Sequence, residues 1–316
     1  MLFRSLAQPY FQYTYKFGKG FTLNAGVFSQ WLSLSNSIAV EPRLGIKYAL
    51  DDKHLFSAAI GTHSQMQPTY VYFATPDSIV ADGKVTANTQ NLQANKNLDF
   101  SRSQHFVLGY DYFMQKDLRF KVEMYYQYLW NVPVYTVPSS VSMLNRGATF
   151  SRFFPVYNMV NKGVGYNYGM ELTVEKSFSH HYFVLFSGSM FNSKYQGSNG
   201  IWNNTDYNGR FALNLLSGLE YAVGKKKKNT INVGFKMTYA GGRLYSDVDT
   251  LRSNRIMDVV PLDSATNTRS FPNYFRTDLR VAYKINAKKS SWEIALDLVN
   301  ITNQQNILAL TYAPDP

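Results

Sequence analysis

Histidines, carboxylates and nucleophiles are the side chains that could do chemistry, and this sequence spaces them poorly for it. Its five histidines are His54, His63, His105, His180 and His181. His180 and His181 are neighbours, so on a strand or turn their rings point apart, and no third donor lies near them in sequence. A zinc site needs three or four converging ligands. His105 shares the polar side of its segment with Asp111, which predicts a hydrogen bond there and not a metal. The chain has no cysteine. It has no glycine-rich phosphate loop and no G-x-S-x-G elbow. We therefore expect no catalytic residue, no metal and no cofactor, and a protein that is not an enzyme.

The remaining charges are placed by a repeat of two. In 118–128, Leu118, Phe120, Val122, Met124, Tyr126 and Tyr128 point one way, while Arg119, Lys121, Glu123, Tyr125 and Gln127 point the other. A helix cannot sort that pattern, because its side chains recur every 3.6 residues. The same sorting recurs around Tyr168–Val174, Ile231–Tyr239, Phe275–Lys284 and Trp292–Leu298. About twelve such segments run roughly ten to fifteen residues each, where strands of soluble proteins average about five or six. An apolar band ~25 Å tall, crossed at a tilt of ~40°, takes roughly ten residues of strand. The fold expected is all-β, an antiparallel up-and-down transmembrane barrel.

Composition agrees with that. Of 316 residues, 45% are hydrophobic, 16% aromatic and only 17% charged, against about 25% charged in an average soluble domain. Mean hydropathy is −0.27, which excludes a bundle of membrane helices, and no apolar run approaches the ~20 residues such a helix needs. The net charge of +11 has one dense cluster, Lys225 to Lys228. That cluster falls in a short turn, so no nucleic-acid partner is expected.

Connections alternate in length. Tight turns fall at Gly18–Gly20, Asp51–Lys53, Gln115–Asp117, Ser179–His181, Gly224–Lys228 and Asn286–Ser290. Between them lie connections near 33–37, 65–100, 132–162, 196–206 and 244–272, most of them long and rich in Asn, Ser, Pro and Gly. Outer-membrane barrels have short periplasmic turns and long extracellular loops, whereas a soluble sandwich has no reason to put every long loop at one end. Aromatics gather near strand ends (Tyr10, Phe11 and Tyr13; Tyr110, Tyr112 and Phe113; Tyr125 to Trp130; Tyr166 and Tyr168; Tyr274 and Phe275), as in the girdles of membrane barrels. Two segments depart from the rule. Tyr182–Phe191 is apolar on both faces, and Pro42 lies within a strand, where it predicts a bulge.

On this plan the charges facing the lumen are Glu41, Arg43, Lys47, Arg119, Glu123, Glu171, Glu175, Arg276, Asp278, Arg280 and Asp297. They are expected to pair structurally, across strands and with whatever fills the lumen. The long loops carry Tyr70, Tyr72, Phe73, Phe153, Phe154, Tyr157 and Trp202, candidates for a ligand-recognition surface, since binding residues concentrate on loops.

Several stretches also resemble a known family. They are Val40-Glu41-Pro42-Arg43-Leu44-Gly45, His63-Ser64-Gln65, Leu144-Asn145-Arg146-Gly147, the run from Asn161 to Thr173, Asn192-Ser193-Lys194-Tyr195, the run from Tyr274 to Leu279, and Asp297-Leu298-Val299-Asn300-Ile301-Thr302-Asn303. In that order they resemble the C-terminal barrel of a TonB-dependent outer-membrane receptor, of the type that often carries an N-terminal carboxypeptidase-regulatory-like domain. The resemblance implies a barrel of 22 strands around a plug domain, energised by an inner-membrane complex, and a role in uptake of a scarce nutrient. It places the protein in the outer membrane of a Gram-negative bacterium, with membrane lipid and a surface lipoprotein as further partners.

The chain departs from the family in three ways. It has about twelve strands, no plug or energy-coupling segment, and no final strand ending in an aromatic residue after Thr311 to Pro316. The start, Met1 to Gln12, also lacks the apolar core of a signal peptide. We therefore expect residues 1–316 to be the C-terminal part of a longer receptor, with signal peptide, plug and final strand outside it. Two other readings fit parts of the pattern: a complete smaller porin or outer-membrane β-barrel enzyme, and a soluble β protein binding glycans through aromatics.

Overall fold

The computed structural model describes residues 5–75, 78–81, 84–87, 95–146 and 158–313. Among the described residues, 14 of the 18 strands belong to one antiparallel sheet in which each long strand bonds the next along the chain, and the other four form two small two-stranded sheets in the loops. Of the sheet's 14 strands among the described residues, two are short pieces, Leu6–Ala7 and Trp202–Asn204. The others are β1 (Tyr10–Phe17), β2 (Phe21–Leu32), β3 (Ser37–Ala49), β4 (His54–Gln65), β5 (Ser101–Gln115) and β6 (Leu118–Tyr135). They continue as β7 (Met159–Ser179), β8 (Tyr182–Gln196), β9 (Phe211–Val223), β10 (Asn229–Ala240), β11 (Tyr274–Asn286) and β12 (Ser291–Leu298). Among the described residues β1 and β12 do not bond one another, so the sheet is an unclosed piece of barrel wall.

Register explains why these segments hold as one wall. One apolar row crosses Leu23, Ile46, Ala58, Leu108, Met124, Met170, Met190 and Phe211, each opposite the next on successive strands β2 to β9. Side chains on a strand alternate faces, so a one-residue slip anywhere would send that strand's apolar set to the polar side. The row is nonetheless open to its surroundings: Leu108 is 61% exposed and Met190 66%. A contiguous apolar face of this extent does not sit in water; lipid is the solvent that fits it.

The two ends differ as the connection lengths predict. Connections at 18–20, 50–53, 116–117, 180–181, 224–228 and 287–290 are tight; at the other end those at 66–100, 136–158, 197–210 and 241–273 are long, and only 33–36 is short. His180 and His181 both have positive φ (51° and 75°) and form the turn itself. Rings line the outward row at both ends. At the turn end Tyr13, Tyr15, Phe17, Phe21 and Tyr48 stack in succession, with centroids 6.2, 5.8, 5.3 and 4.2 Å apart. At the loop end Tyr128 stacks on Trp130 and Tyr166 on Tyr168, both at 6.1 Å. From Phe120 to Trp130 the strand climbs ~33 Å, or ~25 Å of height at a tilt of ~40°, the thickness of the apolar band of an outer-membrane barrel.

Two local expectations resolve differently. Pro42 makes no bulge: Val27 faces Pro42 in unbroken register with β2. Instead the β3–β4 ladder begins only at Arg43, opposite Gly61, so the strands part on the loop side of the proline, which has no N–H to give. In β8 the inward apolar set is partly used within the wall. Phe183 lies over Gly218, where its ring leaves no room for a Cβ, and Leu185 faces Leu216.

At the turn between β5 and β6, Asp117 accepts hydrogen bonds from Lys176 Nζ (2.7 Å) and Ser179 Oγ, which ties two neighbouring turns together. The Lys176 ammonium foremost, then the Ser179 hydroxyl, holds this carboxyl down at about 2. A depressed carboxyl stabilises the fold above its ordinary pKa and loses that contribution as pH falls through the folded value.

Two measurements test the wall. Leu108→Arg, in mid-band, is expected to cost about 2–4 kcal/mol in urea titrations of the protein refolded in lipid, and Trp130→Arg at the rim about 0–1 kcal/mol. Equal costs would show that the outward row does not face a membrane. In a carbonyl-carbon NMR titration Asp117 is expected to titrate at about 2, and Lys176→Met to return it toward 3.8.

Candidate functional site

On the inward face the charges come together locally. Arg119 of β6 reaches Asp111 of β5 and, at 3.4 Å, Glu175 of β7. Arg280 of β11 bonds Glu293 and Asp297 of β12, each at 2.8 Å. Arg43–Glu41 (2.6 Å), Lys121–Glu123 (2.6 Å) and Arg276–Asp278 (2.8 Å) pair along single strands. Glu171 lies directly across from Glu123, a like-charge opposition relieved by Lys121. Among the described residues neither Glu171 nor Lys47 has an ion-pair partner within 4.0 Å.

The densest inward cluster sits where the ladder parts at Pro42. There Ser64 of β4 faces no backbone of β3, and two side chains supply what is missing. Glu41 Oε1 accepts from Ser64 N at 3.0 Å, and Gln30 Nε2 donates to Ser64 O at 2.8 Å. Gln30 also donates to Glu41 at 2.6 Å, and Arg43 donates to its other oxygen. Glu41 is 1% exposed, so a buried carboxylate is met by an amide, a hydroxyl, a backbone N–H and a guanidinium, as burial requires. The polar chain continues sideways. His63 meets His105 edge to face at 4.6 Å. Asn167 donates to Gln127 Oε1 at 2.6 Å, which leaves Gln127 Nε2 to donate to His105 Nε2, also at 2.6 Å. That orientation puts the imidazole proton of His105 on Nδ1. The hydrogen bond expected of His105 is thus made with Ser103 and Gln127, and Asp111 is taken by Arg119.

Above this cluster the loops fold inward and make the hydrophobic core of the described chain. Val71, Tyr72, Leu98 and Phe100 from the loop at 66–100 pack with Met143 and Met159 against Leu32, Ala39 and Val132. Asn95 fastens this core, donating to Val71 O and accepting from Met159 N, both at 3.0 Å. Further round, carboxylates stitch loop to loop. Asp206 accepts from Asn145 (2.6 Å), Asn267 (2.9 Å) and Arg243 (3.1 Å). Asp263 accepts from Ser140 N at 2.9 Å. Three connections, at 136–158, 197–210 and 241–273, are thereby joined into one cap.

Between cap and wall lies a cavity of about 610 Å³. Its lining includes His63, Gln65, Ser103, His105 and Gln127 together with Met66, Pro68, Leu129, Met143 and Leu144. With Arg102 also in the lining, it offers amide, hydroxyl and imidazole groups and one guanidinium beside apolar surface, the lining of a binding cavity. Among the described residues no three His, Asp or Glu side chains are placed to hold a metal.

The aromatic loop candidates scatter. Tyr70 is 46% exposed, and Phe73 closes the same one-turn helix, Thr69–Tyr72. Tyr72 is wholly buried in the loop core, its hydroxyl accepting from Gln67 N at 3.2 Å. Trp202 packs on Tyr166 at 5.0 Å, on the outward row among the girdle rings. Phe153, Phe154 and Tyr157 lie outside the described residues. Sequence reasoning missed Gln30, Ser64, Asn167 and Gln127 as site members. Gln30, Gln127 and Asn167 share inward parity near the loop end, which was the available signal, whereas Ser64 stands on the outward parity of β4 and joins the cluster only where the ladder parts.

With wall, mouth and cavity in place, comparison with known proteins defines the class. The chain matches the TonB-dependent receptor-like β-barrel family over residues 3–303 and belongs to it. The family is one of nutrient-uptake receptors of Gram-negative outer membranes, transporters and not enzymes. The chain is similar to the ferric-catecholate import receptor Fiu of E. coli K12 (14% identity, TM-score 0.60), covering 95% of this chain and 40% of that one. It is also similar to the FrpB iron transporter of Neisseria meningitidis (13%, TM-score 0.59, 95% and 41%). A mutant of the ferric enterobactin receptor PfeA of Pseudomonas aeruginosa is a third (12%, TM-score 0.61, 98% and 42%). At such identities the likeness is one of fold, and the chain spans about two fifths of those receptors. No curated protein sequence matches the chain.

Removing the Glu41 carboxylate tests the inward cluster. Glu41→Ala leaves the Ser64 N–H and the Ser64 hydroxyl without this acceptor, at about 1–3 kcal/mol for each buried group, while Gln30 keeps its acceptors on Ser64. Urea unfolding of the refolded protein should show a loss in that range, with Glu41→Gln retaining part of it. A neutral Glu41→Ala would mean that Ser64 is satisfied some other way.

Proposed function

We propose that residues 1–316 form the C-terminal wall and mouth of a longer TonB-dependent receptor in the outer membrane of a Gram-negative bacterium. The whole protein takes up a scarce nutrient with energy drawn from the inner membrane. The observation that carries this is a sheet that, among the described residues, has two unbonded edges and an outward face that is mostly apolar through its middle band. Open edges in hydrocarbon leave backbone groups unsatisfied, so further strands must complete the barrel. Coverage of about two fifths of the similar receptors supports the same conclusion.

In that assembly a plug domain meets the inward charges, Glu171 and Lys47 being free to engage it. Lipid covers the outward row, and the inner-membrane complex acts through the plug. A surface lipoprotein would meet the loop cap. The chain itself is non-catalytic. Ligand is taken at the mouth, by the cavity beneath the cap and by loop aromatics such as Tyr70 and Phe73. The names of the similar structures, which include a ferric-catecholate receptor and a ferric enterobactin receptor, make a ferric chelate the first nutrient to try.

Uptake by cells tests this directly. Deleting the full-length gene should abolish accumulation of the labelled ferric chelate, and restoring it should rescue at least about tenfold accumulation, lost again in a strain without the energy-coupling complex. Rescue that persists without coupling would make the protein a passive channel, and conversion of the chelate without accumulation would make it an enzyme.

A further inference from the structure

Charge at the turn end is concentrated on one side of the wall. The turn between β9 and β10 is Gly224 followed by Lys225, Lys226, Lys227 and Lys228, and the turn between β11 and β12 holds Lys288 and Lys289. Because β10 bonds β11, these turns are neighbours, and they are fastened together. Asn286 Nδ2 donates to Lys228 O at 2.8 Å, and Asn286 N donates to Asn229 Oδ1 at 3.1 Å. All six lysines are exposed. Among the described residues none has a carboxylate within 4.0 Å, and segments 221–232 and 282–292 contain no acidic residue. The other tight turns are balanced or weakly charged: Asp51 and Asp52 with Lys53, Lys116 with Asp117, Lys19 between glycines.

What lies beside the lysines says what they meet. Immediately inside both turns the outward row carries Tyr221, Tyr283, Trp292 and Ile294, all exposed. Their polar tips turn toward the lysine turns: Tyr283 OH accepts from Asn229 Nδ2 at 2.9 Å, and Trp292 Nε1 donates to Ser290 Oγ at 3.2 Å. A ring with its body in hydrocarbon and its polar tip outward marks the membrane–water interface. Six ammonium groups one residue or a few beyond it stand at the level of lipid phosphates.

We propose that the paired lysine turns are a binding site for acidic phospholipid headgroups of the leaflet at the turn end, multiply charged ones above all. The proposal rests on the membrane reading above. Compact ammonium groups on long flexible stems, carried by a fixed pair of turns, suit phosphates as point charges and need no bidentate geometry. Attraction of this kind decays within ~10 Å at 0.1 M salt, so the contact is local to strands β9 to β12 and falls with ionic strength.

The test is lipid preference in reconstituted vesicles. The full-length receptor is placed in phosphatidylcholine vesicles carrying spin-labelled phosphatidylglycerol or cardiolipin, and association is compared with labelled phosphatidylcholine. We expect a preference of about fivefold or more, roughly what one lysine at an anionic surface delivers. It should fall close to one when Lys225, Lys226, Lys227, Lys228, Lys288 and Lys289 are changed to Gln, and persist when they are changed to Arg. Insertion with no preference, or a preference that survives the Gln changes, overturns the lysine site alone. Loss of the preference in the Arg variant would also overturn it, since charge would then not be the cause. Capture of soluble anionic glycan fragments by the same lysines without lipid preference overturns the lipid assignment in favour of a periplasmic polymer. Failure to insert at all overturns the membrane reading beneath it.

Discussion

In hydrocarbon a backbone N–H or C=O has no water to turn to, so every one must find a partner within the protein. That constraint sets the length of strands β1 to β12, their strict neighbour-to-neighbour pairing and the absence of irregular backbone in mid-wall. It also makes the exception informative. On the loop side of Pro42 the β3–β4 ladder stops, and the Ser64 backbone is met instead by the carboxylate of Glu41 and the amide of Gln30. A buried carboxylate on an inward strand position is thus a consequence of a proline one residue away. Glu41 serves the wall before it serves any ligand.

Stability is therefore divided between two kinds of structure. The wall is held by its ladder and by register, with apolar side chains facing outward where a soluble protein would bury them. The hydrophobic core lies at the mouth, where Val71, Tyr72, Phe100 and Met143 close over Leu32 and Ala39. The loops are consequently built parts, with carboxylates of Asp206 and Asp263 joining segments far apart in sequence. A mouth assembled in this way presents a fixed cavity to what enters it, while most of the inward charges below it are paired within the wall.

Much of this was legible in the sequence because strand parity and connection length are local signals. The alternation in Leu118–Tyr128 placed Arg119 and Glu123 inward and Phe120 and Met124 outward, as the register has them. One-sided loops gave the polarity of the wall, and the ordered stretches from Val40 to Asn303 gave the family. What stayed hidden depends on contacts between distant segments. Nothing in the type of Tyr72 separates a recognition residue from a core residue, and Trp202 reaches the girdle only through the pairing of its short strand with β8. Pro42 announced an irregularity, but its form, a parted ladder in place of a bulge, depends on which neighbour would have received the missing N–H. The partners of Glu41 lie on three different segments and could be joined only once register was known.

Alternating exposure along one strand bears most directly on the membrane wall. These 316 residues contain no cysteine; in the full-length protein, with any cysteine elsewhere replaced, single cysteines are placed from Asn167 to Thr173 on β7 and labelled in intact membranes. The structure predicts that Tyr168, Met170 and Leu172 positions react only with a lipid-soluble reagent, while Asn167, Glu171 and Thr173 positions react with a water-soluble one or are shielded inside the barrel; Gly169 is left in place because a Cβ there would meet the Met190 carbonyl. Uniform labelling of both sets by the water-soluble reagent would contradict a lipid-facing outward row, and with it the account of the wall given by its register.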